Sequence, residues 1–239
     1  LMASSILQLL FNAADVVVVG RYAGKEALAA VGSNSALINL MINLFVGLSV
    51  GTNVVVARDL GAGRHDNVSR SVHTSITLAL ISGVGMAVFG VIMVRQLLEW
   101  MSSPTDVIDL ATVYLRIYFL GMPANMLYNF GAAILRAVGD TKRPLYYLTI
   151  SGVVNIILNV LLVAGLKLSV AGVAIATIVS EFISAALVLA SLITSHGDIR
   201  FEPKKTRVER RSLSLILRIG IPAGLQSSMF SISNVLIQS

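Results

Sequence analysis

Seven long apolar stretches separated by short polar loops constrain this chain more than any other feature. They run roughly over residues 1–20, 27–57, 72–94, 113–135, 145–166, 170–193 and 213–239. A helix crossing the hydrocarbon core needs about 20 mostly apolar residues. A membrane strand needs only about 9–11, in strict alternation. These runs are too long and too uniform for strands, so they predict an all-α, polytopic membrane helix bundle. The composition agrees, at 56% hydrophobic and 13% charged, where an ordinary soluble domain carries roughly 25% charge. A soluble fold of this size still exposes a large surface and could not hide so much apolar area. The second stretch exceeds a single span and is expected to tilt or to project beyond the lipid.

The loops set the expected orientation. The second, fourth and sixth loops with their flanks hold thirteen basic residues, among them Arg58, Arg64, Arg136, Lys142, Arg143, Lys204 and Arg211. The first, third and fifth hold five: Arg21, Lys25, Arg95, Arg116 and Lys167. Basic loops stay in the cytoplasm, which predicts a multi-pass cell-membrane protein whose first helix starts on the cytoplasmic side. That placement accounts for the net charge of +6 without nucleic acid. The longest polar stretch, residues 196–212, reads as a solvated cytoplasmic linker attracted to anionic lipid. It divides a six-helix N-terminal lobe, residues 1–195, from a seventh transmembrane helix, residues 213–239.

That seventh helix resembles the first. Phe11-Asn12-Ala13-Ala14-Asp15-Val16-Val17-Val18 aligns with Phe230-Ser231-Ile232-Ser233-Asn234-Val235-Leu236-Ile237. An even number of spans between the copies makes them parallel, as in transporters built from repeats related by an axis along the membrane normal. On this reading the chain is a fragment, partnered by a C-terminal lobe of the same full-length protein.

Polar side chains inside the apolar runs mark the candidate functional positions. Asp15 sits in the first run with no basic residue within four positions. A carboxylate at a helix centre costs about 2.5–3.5 kcal/mol on insertion scales, so such residues face cavities or partners. Gln8, Asn12 and Asp15 share one helix face. So do Asn155 and Asn159 on the fifth helix, Thr177 and Glu181 on the sixth, and Asn39 and Asn43 on the second. The fourth helix carries Asn125, Tyr128 and Asn129 just after Pro123, which is expected to kink it. An aromatic with two amides suits a path for a flat organic cation, and equally suits interhelical packing. Gly20…Gly24 and Gly47…Gly51 have the spacing of close helix approach.

Enzymatic classes are poorly served. There is no cysteine, which removes thiol catalysis and zinc–thiolate sites. His65, His73 and His196 lack metal-ligand spacing and read as ordinary loop or helix-end residues. Gly61-Ala62-Gly63 lacks the Gly-Lys-Ser/Thr that a phosphate loop requires. No cofactor is expected, and the chain reads as no enzyme.

The motifs resemble those of the multidrug and toxic compound extrusion (MATE) family. The segments that carry the resemblance are 15–21 with 27–32, Gly51-Thr52 through Leu60-Gly61-Ala62-Gly63, 135–144 (Leu-Arg-Ala-Val-Gly-Asp-Thr-Lys-Arg-Pro), 155–159 and 220–226. The resemblance implies two six-helix lobes around a central cavity and export of amphipathic organic cations and drugs in exchange for protons or sodium, by alternating access. It places an ion-coupling set on Asp15, Asn155, Asn159 and Thr177. Gln8, Asn12, Asn39, Asn43, Asn125, Tyr128, Asn129 and Glu181 are candidates for the substrate path. Position 159 departs from one branch of the family, which has an acid there; Glu181 could compensate, a reading that rests on this sequence and not on the family. The rival reading is a flippase for a lipid-linked oligosaccharide or cell-wall precursor. Such a cavity needs arginine and lysine for pyrophosphate, whereas the intramembrane charges here are acids.

Overall fold

In lipid a backbone has no water to bond, so each apolar run must satisfy its own N–H and C=O groups as helix. The computed structural model, which describes residues 2–33, 35–100, 107–195, 197–205 and 208–238, bears this out. The order is α1 (Met2–Tyr22), α2 (Lys25–Ser33), α3 (Ser35–Gly61), α4 (His65–Trp100), α5 (Ile108–Leu120), α6 (Met122–Ala137), α7 (Lys142–Asn159), α8 (Ser169–Thr194) and α9 (Arg210–Gln238). No strand occurs among the described residues. Three helical segments among them are long and apolar enough to cross a membrane: His65–Trp100, Lys142–Gly165 and Ser169–Thr194. Each shows lipid a stripe of large apolar side chains. On α4 it is Ile81, Val84, Val88 and Ile92; on α7 it is Ile150, Val153 and Ile157, all exposed. Spacings of three and four put each stripe on one face, and a water-soluble chain would not leave such stripes bare.

Three details differ from the expected spans. The third apolar run is the middle of a helix of 36 residues, about 54 Å long at 1.5 Å per residue, so α4 continues well beyond the hydrocarbon. The fourth run begins earlier, at Ile108, and is interrupted at Gly121 rather than at Pro123. Proline has no N–H for the carbonyl one turn back, and the chain closes the gap with tighter bonds: Gly121 N donates to the Tyr118 carbonyl and Ala124 N to the Gly121 carbonyl, both at 3.0 Å. The fifth run changes pitch directly after Asn159, where α7 continues as a π-helical turn over Val160–Gly165. Such turns often mark functional positions.

Two of the glycine-containing loops are helix stops. Gly63 (φ 68°) and Gly139 (φ 87°) take the left-handed conformation, and the residue after each donates back across the end of its helix: Arg64 N to the Asp59 carbonyl at 2.9 Å, Asp140 N to the Leu135 carbonyl at 3.0 Å. This is the usual glycine C-terminal motif. Asp140 then opens α7, accepting the Arg143 N–H at 3.1 Å and its guanidinium at 3.0 Å.

The chain groups into two units, one of residues 1–35, 84–124 and 145–184, the other of 36–83, 125–144 and 185–239. In the second, α3 crosses α9 with almost nothing between the backbones. Gly47 lies against Gly224 and the Gly220 carbonyl, and Gly51 against the Ile216 carbonyl and Gly220. α3 is also tied to α6 by Asn53, whose amide donates to the Ala133 carbonyl at 2.8 Å.

The stretch read from the sequence as a solvated linker is held against α4. Phe201 is buried, and its ring packs on that of His73, 5.3 Å between centroids. Glu202 N donates to His73 Nε2 at 3.1 Å, while His73 Nδ1 bonds the Ser69 carbonyl at 2.8 Å. His73 is therefore a buried residue inside α4, against the expectation of a loop or helix-end histidine; the apolar run beside it left no sign of the linker it receives. His65 pairs with Asp198, and His196 lies outside the described residues. Glu209 binds Arg70 at 3.0 Å and accepts from Ser212 at 2.7 Å. The Ser212 hydroxyl, then Arg70, hold its carboxyl below the usual range against the opposing effect of partial burial.

Candidate functional site

Packing of α1 on α7 builds the site in the first unit. On α7, Gly152, Asn155 and Asn159 are spaced three and four apart and share one face. On α1, Phe11 and Asp15 are four apart and do the same. The two faces meet: the Phe11 ring occupies the space that a side chain at Gly152 would fill, and Asp15, one turn on along α1, meets Asn159, about two turns on along α7. The missing side chain at 152 therefore lets α1 come close enough for the polar pair to form.

The pair is short and shielded. Asn159 is fully buried and Asn155 nearly so. The Asn159 amide nitrogen spends both its hydrogens, one on Asp15 Oδ1 and one on Asn155 Oδ1 at 3.2 Å. That leaves Asn159 Oδ1 buried with no hydrogen-bond partner among the described residues. An orphaned acceptor beside a carboxylate is the donor set of a small cation, or of a proton carried by the acid. α1 also packs on α2 and on the π-helical turn after Asn159, and α2 packs on α5, so the pitch change lies against the helix that carries the acid.

α5 and α8 supply the rest of this unit's polar groups. Tyr114 and Tyr118 stack with centroids 5.9 Å apart, and Asp15 and Glu181 lie near both rings. Neither tyrosine was among the sequence candidates. Their spacing of four was a visible signal, but aromatic pairs at that spacing more often mark packing. Thr177 and Glu181 lie on α8 as expected. The Thr177 hydroxyl is spent within its own helix, donating to the Val173 carbonyl at 3.0 Å. The structure thus joins Asp15, Asn155 and Asn159 by hydrogen bonds and leaves Thr177 bonded to its own backbone.

The other candidates divide. The side chains of Gln8, Asn12 and Asn39 lie outside the described residues. Asn43 is half-buried on α3 in the second unit. The fourth-run group also belongs to that unit. Asn129 donates to both the carbonyl and the side-chain oxygen of Asn125, each at 2.9 Å, and the buried Tyr128 donates to the Pro144 carbonyl at 3.0 Å. No cluster of His, Cys, Asp and Glu able to hold a metal occurs among the described residues.

The chain resembles known proteins in sequence and fold. The MatE family profile matches residues 1–161. The Probable multidrug resistance protein YoeA of Bacillus subtilis is 31% identical over the whole chain, which covers 53% of that protein. A MOP superfamily transporter from Pyrococcus furiosus, described as having a binding pocket of reversed polarity, superposes with a TM-score of 0.90 at 28% identity, over 98% of this chain and 52% of that one. The inward-facing conformation of a multidrug resistance MATE family transporter gives 0.86 at 29% identity, over 94% and 51%. The chain spans about half the length of the curated relatives it matches. Other relatives bear the names of a FAD transporter and of multidrug export proteins. With the family profile matching residues 1–161 and relatives aligned along nearly the whole of it, the chain belongs to the multidrug and toxic compound extrusion (MATE) family.

Proposed function

We propose that residues 1–195 form the first lobe of an antiporter that exports amphipathic organic cations in exchange for protons or sodium. Residues 196–212 are then its cytoplasmic linker and 213–239 the first helix of the second lobe. The observation that carries the reading is Asn159: a fully buried amide whose nitrogen is committed to Asp15 and Asn155 and whose oxygen is not hydrogen-bonded. An unsatisfied buried acceptor costs about 1–3 kcal/mol. Binding of a proton at Asp15 or of a sodium ion beside it would offset that cost in one state and restore it in the other, which is the differential interaction that alternating access requires. The test is transport by the full-length protein in liposomes carrying a cationic dye, with sodium and proton gradients imposed separately. Dye efflux should follow one of the two gradients. Efflux indifferent to both would overturn the coupling. Movement of a lipid-linked pyrophosphate without dye efflux would favour the flippase.

The basic bias of the even loops supports a cytoplasmic start for α1. Single cysteines at Asp109, at the exposed start of α5, and at the exposed Lys204 in the linker give a direct check in a cysteine-free background. In whole cells an impermeant maleimide should label position 109 and spare position 204. Equal labelling at both would sink this topology.

A further inference from the structure

Glu181 sits where a plain lining residue would not. On α5, Tyr114, Tyr118 and Gly121 are spaced four and three apart and form one face, and that face meets α8 at Ile178 and Glu181. A methyl group on Gly121 would stand 2.7 Å from Glu181 Oε2 and 3.0 Å from Ile178 Cγ1. The carboxylate therefore occupies the space left by the missing side chain at the break between α5 and α6, and its Oε2 is shut off from solvent. On its own helix it is flanked one turn away on each side by Thr177 and Ser184; the Ser184 hydroxyl donates to the Glu181 carbonyl at 2.9 Å. Glu181 and, from α1, Asp15 both lie near the Tyr114–Tyr118 pair of α5. The two acids thus share one aromatic neighbour, Asp15 tied to α7 and Glu181 set against α5.

We propose that Glu181 is a second proton-carrying acid of this lobe, placed on α8 and seated at the Gly121 break, which supplies the titratable charge that Asn159 lacks on α7. A permanent charge between packed intramembrane helices is unfavourable, and such acids ordinarily serve proton or ion paths. A proton also needs no cavity, which suits a carboxylate with one oxygen packed against the α5 break. With Asp15 alone, export of a monovalent cation for one proton moves no net charge. With Glu181 as partner, two protons enter for each such cation, one positive charge moves inward per cycle, and the membrane potential joins the proton gradient as a driving force. The inference rests on the proposed proton coupling for its role in transport. The protonation of Glu181 itself stands on the packing of α5 against α8.

Infrared difference spectroscopy of the purified full-length transporter, acid buffer minus alkaline buffer, reads buried protonated carboxyls with no cargo present. Two carbonyl bands are expected in the wild type. Glu181→Gln should lose one, Asp15→Asn the other, and Glu181→Asp should return the lost band at a shifted frequency. Gly121→Ala keeps Glu181 but crowds its carboxylate, so it should move the Glu181 band and leave the Asp15 band in place. A spectrum unchanged by Glu181→Gln, or by Gly121→Ala, would overturn the proposal. In liposomes, wild-type dye efflux should respond to an imposed potential, and Glu181→Gln should lose that response. Absent dye efflux in a wild type that keeps both bands would remove the cargo reading and leave the acid assigned.

Discussion

Asp15→Asn in the full-length protein is expected to express and insert like the wild type and to show no gradient-driven dye efflux above that of empty liposomes. The substitution separates structure from coupling. Asparagine keeps an oxygen at the place where Asp15 Oδ1 accepts the Asn159 amide, so the link between α1 and α7 survives. Replacing a carboxylate by a neutral amide in the middle of a helix also eases insertion. The amide can no longer bind or release a proton, nor offer a sodium ion a negative charge. Binding of the coupling ion at this position then stops differing between the two states of the lobe, and a ligand without differential affinity shifts nothing; the proton proposed on Glu181 adds to the coupling at Asp15 and does not replace it. The measurement is initial efflux rate at equal protein per liposome, with dye exchange at equilibrium as the control for a folded cavity. Wild-type efflux from the variant would take Asp15 out of the mechanism.

The parts of this site that were legible in the sequence are those with a strong physical period. Lipid demands about 20 apolar residues per span, so the runs at 72–94, 145–166 and 170–193 marked helices even though their ends lay elsewhere. An acid in such a run is costly, which singled out Asp15, and amides four apart pointed Asn155 and Asn159 at one another. Other features carry no period. The π-helical turn after Asn159 adds only a local shift in hydrogen bonding, and Val160 to Gly165 read as ordinary apolar residues. The docking of Phe201 and Glu202 on His73 joins positions about 130 apart, and nothing local to either announces it. Thr177 shows the limit of face arguments. It lies on the expected helix, but a threonine can always turn its hydroxyl to the carbonyl one turn back, and here it does. Tyr114 and Tyr118, four apart, carry no distinguishing signal, because aromatic residues in a membrane helix usually mean packing.

The crossing of α3 and α9 should be the least tolerant place in the second unit. Gly47 and Gly51 were readable as close-approach positions; Gly220 and Gly224, on the helix they approach, were not. A Cβ at Gly47 would run into the backbone of Gly224 and come within 2.7 Å of the Gly220 carbonyl, and one at Gly220 would lie 2.6 Å from the Leu48 Cα. The obstacles are main-chain atoms, which cannot rotate aside as a side-chain end can, so even alanine must push the helices apart. Water gives no driving force for re-closing them in lipid, and the contact rests on dispersion between backbones. Overpacking of this kind costs about 1–3 kcal/mol. Gly85 is the matched control. It lies inside α4 with nothing within 4 Å of an added Cβ, and Gly→Ala within a helix is favourable by about 0.5–1 kcal/mol. In detergent-solubilised full-length protein, Gly47→Ala and Gly220→Ala should lower the thermal midpoint of monodisperse protein, and together should abolish it as a folded species. Gly85→Ala should match or exceed the wild type. Because α9 is proposed as the first helix of the second lobe, dye efflux should fall with the midpoint in the two single variants. A Gly47→Ala protein that melts with the wild type and exports at its rate would show that the two backbones are not held in this contact.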